Sequence, residues 1–575
     1  MLYNSTRGES PIVPFSEVLL GGLAPDGGLY MPQTFPKFSI EEIESWSNLP
    51  FYQLAAKILQ PYVESEIDES IFLKLLEEAY TSFDEEDVVK LKEIEENHWV
   101  LELFHGPTLA FKDVAMQLLG VLLNHFAKEK GEKIVVLGAT SGDTGAAAIS
   151  ACARHENVEV YILYPHEKVT EFQRKQMTTT QSQNVYPLAI ETDFDGCQNI
   201  VKKMFLDEDF QHTKVRFIAA NSINWARCMT QSVYFFWSYL RLKEIKEDLT
   251  FSIPSGNFGH AYAGWTAKEM GLPIKRLIIA TNENDVLHQT FSNNLYAKTN
   301  VVQTLAPSMD ISVASNFERL LYNLYDNDSS LLAKNMRSFP EKSIDIPDSK
   351  IDAVSNFFKS HCSNDQEIIM QIINTYQKIG YLIDPHTATG VRASKEISPP
   401  NEPVITMGTA HPAKFSEAIE KAIQEATPEQ MLELKKAEQE FEVQMKELDV
   451  DVFKLETQDK QHARGMFSKD WTARIIGLFT IGGFLGYIFL VTLQPPEQNS
   501  EAWFYLIMTA IEGCCGEIVP IVDDILNNLE KNIINDINSY LNELINTKNK
   551  KDHSKTLVGQ IKKGEQITID VNHPL

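Results

Sequence analysis

Six short apolar runs recur through the middle of this 575-residue chain: KIVVLG (133–138), VEVYILYP (158–165), VRFIAA (215–220), LTFSIP (249–254), RLIIAT (276–281) and PVITMG (403–408). Each is too short for a helix and apolar on both faces, and helical periodicity fills the intervals between them. Strands buried on both faces belong to parallel sheets, and parallel neighbours need helical crossovers. The pattern therefore predicts an α/β fold with a largely parallel, doubly wound sheet between about residues 96 and 425. Three runs lead directly into small polar loops, ATSGDTGAAAISA, SGNFGHAYAGWTA and TAHPAKF. In such sheets ligands gather beyond the carboxyl ends of the strands, where a glycine-rich turn opening a helix presents backbone N–H groups to an anion. Two such turns suit two anionic groups, although a Ser-Gly turn capping a helix is also ordinary structure. Neither has the spacing of a nucleotide-phosphate loop or a dinucleotide fingerprint.

The stretch FHGPTLAFKDVAMQ (104–117) sets one lysine, Lys112, in apolar surroundings. A lysine at a helix end is ordinarily solvated, with its stem packed and its ammonium in water. The alternative is an amine desolvated at the start of a helix, where burial and the positive helix end both depress its pKa and leave it able to attack an aldehyde. Residues 114–127 (VAMQLLGVLLNHFA) are apolar nearly all round, which predicts a buried helix behind Lys112.

Composition narrows the function classes. A formal charge of −27, with no basic stripe, argues against nucleic acid as a partner. The six cysteines, Cys152, Cys197, Cys228, Cys362, Cys514 and Cys515, lack zinc or redox spacing and read as reduced thiols of a cytoplasmic protein. The first residues, MLYNSTRGESPIVPF, carry neither a basic nor an apolar signal region, so no secretory signal is expected. No metal site is expected.

Lys112, the two loops and GTAHPAKF together resemble the threonine synthases, pyridoxal-phosphate enzymes of fold type II (tryptophan synthase β-like). The resemblance runs in order through LYNSTRG, DGGLYMP, LELFHGPTLAFKD, ATSGDTG, ANSINWAR, PSGNFG, ATNEND, SMDIS, PHTATG and GTAHPAKF, over residues 1 to about 425. It implies a two-lobed catalytic core (96–425) behind an α-rich N-terminal domain (1–95), and conversion of O-phospho-L-homoserine and water to L-threonine and phosphate. By resemblance, Lys112 is the catalytic residue and carries the cofactor, pyridoxal 5'-phosphate. Ser255, Gly256, Asn257, Phe258 and Gly259 cradle its phosphate, and Thr409 meets the pyridine nitrogen. Asp143 lies near the cofactor's ring oxygen, and Ser141, Gly142 and Thr144 near the substrate carboxylate. Asn221, Ser222 and Arg227 hold the substrate phosphate. His105 and His411 receive no role. His260 departs from the family, which usually has Asp or Asn there. The same chemistry leaves another lyase of this fold, such as a threonine dehydratase, as the alternative, and a monomer is the expected state.

Beyond Gln424 the resemblance is read as ending before the family's usual C-terminus, which predicts a marginally stable core. Thr427, Pro428 and Gln430 open an acidic helix (426–470) with Leu434, Ala437, Phe441, Met445 and Leu448 on one face. The uncharged run 475–493, within a segment 471–525, is about long enough to cross a bilayer. Lys460, Arg464, Lys469 and Arg474 before it predict a cytoplasmic preceding side and attachment to the inner face of the cell membrane. A second run, 503–522, contains Glu512 and Glu517. Residues 427–510 resemble phage holin-type membrane proteins. The end of the polar tail (526–575) resembles a truncated FKBP-type prolyl isomerase. A fusion, a mistaken gene join, or a holin-like protein attached to an idle synthase would each produce such a chain.

Overall fold

A computed structural model describes residues 1–425 apart from 85–86, 181, 193, 207–214 and 246–247. The six apolar runs are all strands, but they divide between two sheets. The larger has six strands in the order Phe358–Cys362, Ile274–Thr281, Leu249–Pro254, Val404–Gly408, His98–Glu102 and Lys90–Glu95. All neighbours are parallel except the last pair. The smaller is wholly parallel, in the order Val185–Ile190, Val158–Pro165, Lys133–Ala139 and Val215–Ala219. Every residue of Leu249–Pro254 is buried, as expected for a central strand covered on both faces. Lys90–Glu95 is an antiparallel edge whose lysines and glutamates discourage further pairing.

The N-terminal residues add a small antiparallel sheet, with Leu2–Ser5 between Val13–Pro14 and Tyr30–Pro32, followed by helices that include Phe51–Val63 and Glu69–Tyr80. Arg7 ties this region to the helix Phe317–Leu324 through two bonds to Glu318, at 3.1 and 2.9 Å. The helix Lys112–Lys130 packs against Glu69–Tyr80, Asp143–Cys152 and Trp225–Gln231, which is why its apolar residues surround it. Gly131, left-handed at φ 62°, ends it and donates to Ala127. A second apolar cluster joins Asp365–Ile379, Pro385–Ile397 and the last described helix, Ser416–Glu425, through Ile368, Ile372, Val391, Ile419 and Ala422. The expected helix after Thr427, the runs 475–493 and 503–522 and the polar tail lie outside the described residues. Among the described residues no helix is long and apolar enough to cross a membrane.

Candidate active site

Lys112 is the first residue of its helix. The segment leading to it is fixed against the loop after Val404–Gly408, because Phe111 donates its N–H to the Thr409 carbonyl at 2.8 Å and Ala110 bridges Ala410. Its side chain is 12% exposed, and Nζ lies 3.0 Å from Asp143 Oδ2. Burial lowers the lysine pKa, Asp143 opposes that shift, and the charges of Lys414 and Arg227 add to it. The solvated-lysine alternative is thereby removed.

Asp143 opens the helix Asp143–Cys152, directly after Gly142 at φ 135°. At Gly142 the backbone angle favours glycine, and a Cβ there would stand 2.3 Å from Gln173 Cδ and displace the amide that binds Asp143. Asp143 Oδ1 accepts from Gln173 Nε2 and Lys414 Nζ, both at 3.0 Å, while Oδ2 accepts from Lys112 and from Ser308 Oγ at 3.2 Å. Burial alone would raise its pKa, but Lys112 and Lys414 outweigh that and hold the carboxyl well below its usual range. Ser141 and Thr144 flank this residue and Gly142 on the same turn, Ser141 exposed and Thr144 half-buried.

The second loop leaves the strand Leu249–Pro254. Ser255 donates its N–H to the Ala280 carbonyl at 2.9 Å, and Phe258, left-handed at φ 61°, turns the chain into the helix Gly259–Glu269. The loop is tightly packed at its glycines: a Cβ at Gly256 would lie 3.0 Å from the Ser308 carbonyl, and one at Gly259 3.1 Å from Asn316 Nδ2. Asn316 donates to the Asn257 carbonyl through its backbone N–H (3.0 Å) and its amide (3.2 Å), and its amide reaches Ser222 Oγ at 3.4 Å. Asn316 thus joins the loop carrying Ser222 to the one carrying Asn257. Ser255 Oγ and Thr409 Oγ1 are both buried and have no hydrogen-bond partner among the described residues. Buried hydroxyls are rarely left so, and two of them at the ends of neighbouring parallel strands fit a polar ligand between them.

Arg227, on the helix Trp225–Gln231, is 2% exposed. Its Nη1 donates to the Ala220 carbonyl at 3.3 Å, its Nε has no partner, and no carboxylate among the described residues pairs with it. Burial pushes its pKa down to about 10, still charged at neutral pH. A buried cation without a counter-charge beside Lys112 suits an anionic ligand. Asn221, in contrast, is exposed. His260 is buried, stacks on Phe111 with centroids 4.9 Å apart, and is pushed by burial down to about 3, so it is a neutral plate behind the residue preceding Lys112. His105 pairs with Glu102 at 2.9 Å and His411 caps the turn Pro412–Phe415, so both have structural partners.

Sequence reasoning missed Lys414, Gln173, Ser308 and the pair Asp384–His386. His386 Nδ1 lies 2.8 Å from Asp384, and its Nε2 accepts the Ser308 N–H at 3.1 Å. All but Gln173 sit on or beside the quoted motifs GTAHPAKF, SMDIS and PHTATG, so position in a motif was the available signal.

Family models match most of this architecture: "Threonine synthase N terminus" at residues 2–80, "Pyridoxal-phosphate dependent enzyme" at 87–335, and "Threonine synthase, C-terminal" at 387–454. A curated threonine synthase of Pseudomonas aeruginosa is 47% identical over 424 residues, covering 73% of this chain and 90% of that protein. The chain belongs to the threonine synthase family. A second curated member, from Methylobacillus glycogenes, is 40% identical over 471 residues and covers 79% of this chain and 98% of its own length. The crystal structure of pyridoxal-phosphate-bound threonine synthase from Brucella melitensis superposes with a TM-score of 0.71 at 43% identity, covering 73% of this chain and 91% of that one. The enzyme is accordingly pyridoxal-phosphate dependent and of fold type II, and the unpartnered hydroxyls of Ser255 and Thr409 fit that cofactor.

These matches correct the boundary drawn near Gln424. The family's C-terminal model continues to residue 454, well into the acidic segment (426–470) assigned above to a holin-like leader. A well-capped amphipathic pattern looks like a new beginning whatever precedes it, which is why the sequence misled at this point. The expectation of a core truncated at that junction falls with the boundary.

Proposed function

We propose that this chain converts O-phospho-L-homoserine and water to L-threonine and inorganic phosphate at the site around Lys112. The observation that carries the reading is a desolvated lysine bonded to an anionic Asp143 and under the charge of a buried Arg227 that no carboxylate among the described residues pairs with. Pyridoxal phosphate, when bound, supplies the electron sink that stabilises negative charge next to the amino group. Lys112 would hold the cofactor and, with its amine free, moves protons at Cα and Cβ of the substrate. Loss of those protons expels the γ-phosphate from Cγ; Cγ then gains a proton to become the methyl group, water adds its hydroxyl at Cβ and gives up its other proton, and a proton returned to Cα completes L-threonine. Ser255 and the N–H groups of Gly256–Gly259 would bind the cofactor phosphate at a helix start, and the Thr409 hydroxyl would face the pyridine nitrogen. Asp143 orients the amine of Lys112 and would face the cofactor's ring oxygen. Ser141, Gly142 and Thr144 receive the substrate carboxylate, and Arg227 with Ser222 and Asn221 receives the departing phosphate.

Lys112→Ala abolishes phosphate release, and borohydride reduction of the wild-type enzyme fixes the cofactor on Lys112 in a peptide map. Label on a different lysine, or an active alanine variant, would refute the assignment. Arg227→Ala raises KM for the phosphorylated substrate at least tenfold, roughly 1.4 kcal/mol of lost binding. An unchanged KM would remove Arg227 from the phosphate site. The uncharged run 475–493 supports a separate proposal, attachment to a bilayer. Fractionation of the full chain beside a version ending at residue 454 tests this. Equal recovery of both in the soluble fraction excludes attachment.

A further inference from the structure

We propose that Lys414 is a positioning residue for this reaction, a second buried ammonium that fixes one oxygen of Asp143 so that the other faces Lys112. The inference rests on reading Lys112 as the cofactor lysine. Lys414 lies in the turn Pro412–Phe415, and its side chain has no exposure. Its Nζ donates to the Thr108 carbonyl at 2.6 Å, Gln176 Oε1 at 2.9 Å and Asp143 Oδ1 at 3.0 Å. Three acceptors match the three protons of an ammonium, so this lysine is saturated and anchored as a cation. Among the described residues Lys112 makes one hydrogen bond, to the opposite oxygen of the same carboxylate.

The three partners of Lys414 come from three places. Thr108 stands in the loop leading to Lys112 and also binds the buried Asp113 through its N–H (2.8 Å) and Oγ1 (2.7 Å). Gln176 is on the helix Glu171–Thr178, and Asp143 opens a helix beside the smaller sheet. Lys414 therefore ties the loop after Val404–Gly408 to the approach to Lys112 and to the helix carrying Asp143. The charged groups facing Lys112 are Asp143, Lys414 and Arg227, and burial also disfavours its ammonium. Two lysines share one carboxylate, so the site sheds a proton more readily than a simple ion pair. Lys112 has the fewer hydrogen bonds, and its pKa is lowered by burial first.

The test uses the full-length chain freed of cofactor, labelled with acetic anhydride across roughly pH 6 to 10, with acetylation of Lys112 and Lys414 followed by mass spectrometry. In Lys414→Gln the amide can still hydrogen-bond but the charge is gone. Lys112 is then the one ammonium bound to Asp143 among the described residues, and the Lys112 labelling midpoint rises by about one pH unit, roughly a tenfold loss of labelling below it. Lys414→Arg, which restores the charge, brings the midpoint back. A purely structural role lowers the melting temperature in Lys414→Gln and leaves the midpoint where it was, and that result, or a lowered midpoint, overturns the proposal. The wild-type chain supplies a measurement independent of any variant's folding: Lys414 stays unlabelled where Lys112 reacts, and labelling of Lys414 at or below the Lys112 midpoint overturns the proposal. Borohydride mapping of the loaded enzyme judges the identity of the cofactor lysine separately.

Discussion

Thr409 carries a hydroxyl that is buried and unpartnered among the described residues, so its removal should do little to the cofactor-free protein. An unsatisfied buried hydroxyl costs roughly 1–3 kcal/mol, and a methyl of the same shape avoids that cost. Thr409→Val should therefore leave the melting temperature of the cofactor-free chain unchanged or raised, while weakening cofactor binding by about tenfold in an absorbance titration. A drop in melting temperature with unchanged cofactor affinity would show that the hydroxyl serves the fold instead. At this scale the sequence was readable where residue type and motif coincide. Lys112 stands out because an amine has no ordinary business at the head of an apolar helix. Lys414 does not stand out, since nothing in its neighbours shows that a turn lysine is wholly buried against three acceptors from distant segments. Arg227 lay in a quoted motif, yet its lack of a carboxylate partner is visible only in three dimensions.

Lys112 and Asp143 are each the first residue of a helix, so their 3.0 Å contact depends on how those two helices cross. The crossing is close at Gly120, where an added Cβ would stand 2.4 Å from the Ala151 carbonyl oxygen. Backbone on one side and a buried helix on the other leave no easy relief. Gly120→Ala is expected to destabilise the chain by about 1–3 kcal/mol, the usual range for an overfilled core, and to reduce cofactor retention because Lys112 moves relative to Asp143. A thermal melt and the cofactor absorbance after gel filtration check both effects, and an unaltered melt would mean the helices separate freely. The element pattern was legible in the strands: each of the six runs lies within one or two residues of an observed strand. Their division into two sheets was not legible, because an apolar run states that a strand is covered on both faces and says nothing about its neighbours. The edge strand Lys90–Glu95 escaped notice for the opposite reason, its lysines and glutamates being what an exposed edge requires.

Across the whole molecule, burial of neutral imidazoles sets an acid limit. His98, His155 and His411 are lowered to about 4 and His260 to about 3, in each case by burial first. A depressed pKa gives stability that is present above the unfolded value, near 6.5, and is lost as pH falls toward the folded values. Asp113 works in the other direction. Burial raises it to about 6, so its favourable contribution exists below its ordinary range and disappears as pH rises through 6. Asp143, held low by Lys112 and Lys414 against burial, adds stability that is lost only in stronger acid. Near pH 5 the four histidines are charged in the unfolded chain and neutral in the folded one, whereas Asp113 gives up a proton on unfolding. These five groups together therefore take up about three protons on unfolding at pH 5, which makes stability rise by roughly 4 kcal/mol per pH unit there and level off above about pH 7. Calorimetric melts of the full chain at pH 5 in buffers of different ionisation enthalpy measure total uptake, to which carboxylates held low in the folded protein, such as Glu95, Glu102 and Glu402, also add, so each histidine's share is the difference between wild type and its phenylalanine variant. No difference for any of the four would mean that these histidines are hydrated and titrate normally in the folded protein. Replacing His260 by Phe should lower the uptake by close to one proton and leave the ring stacked against Phe111.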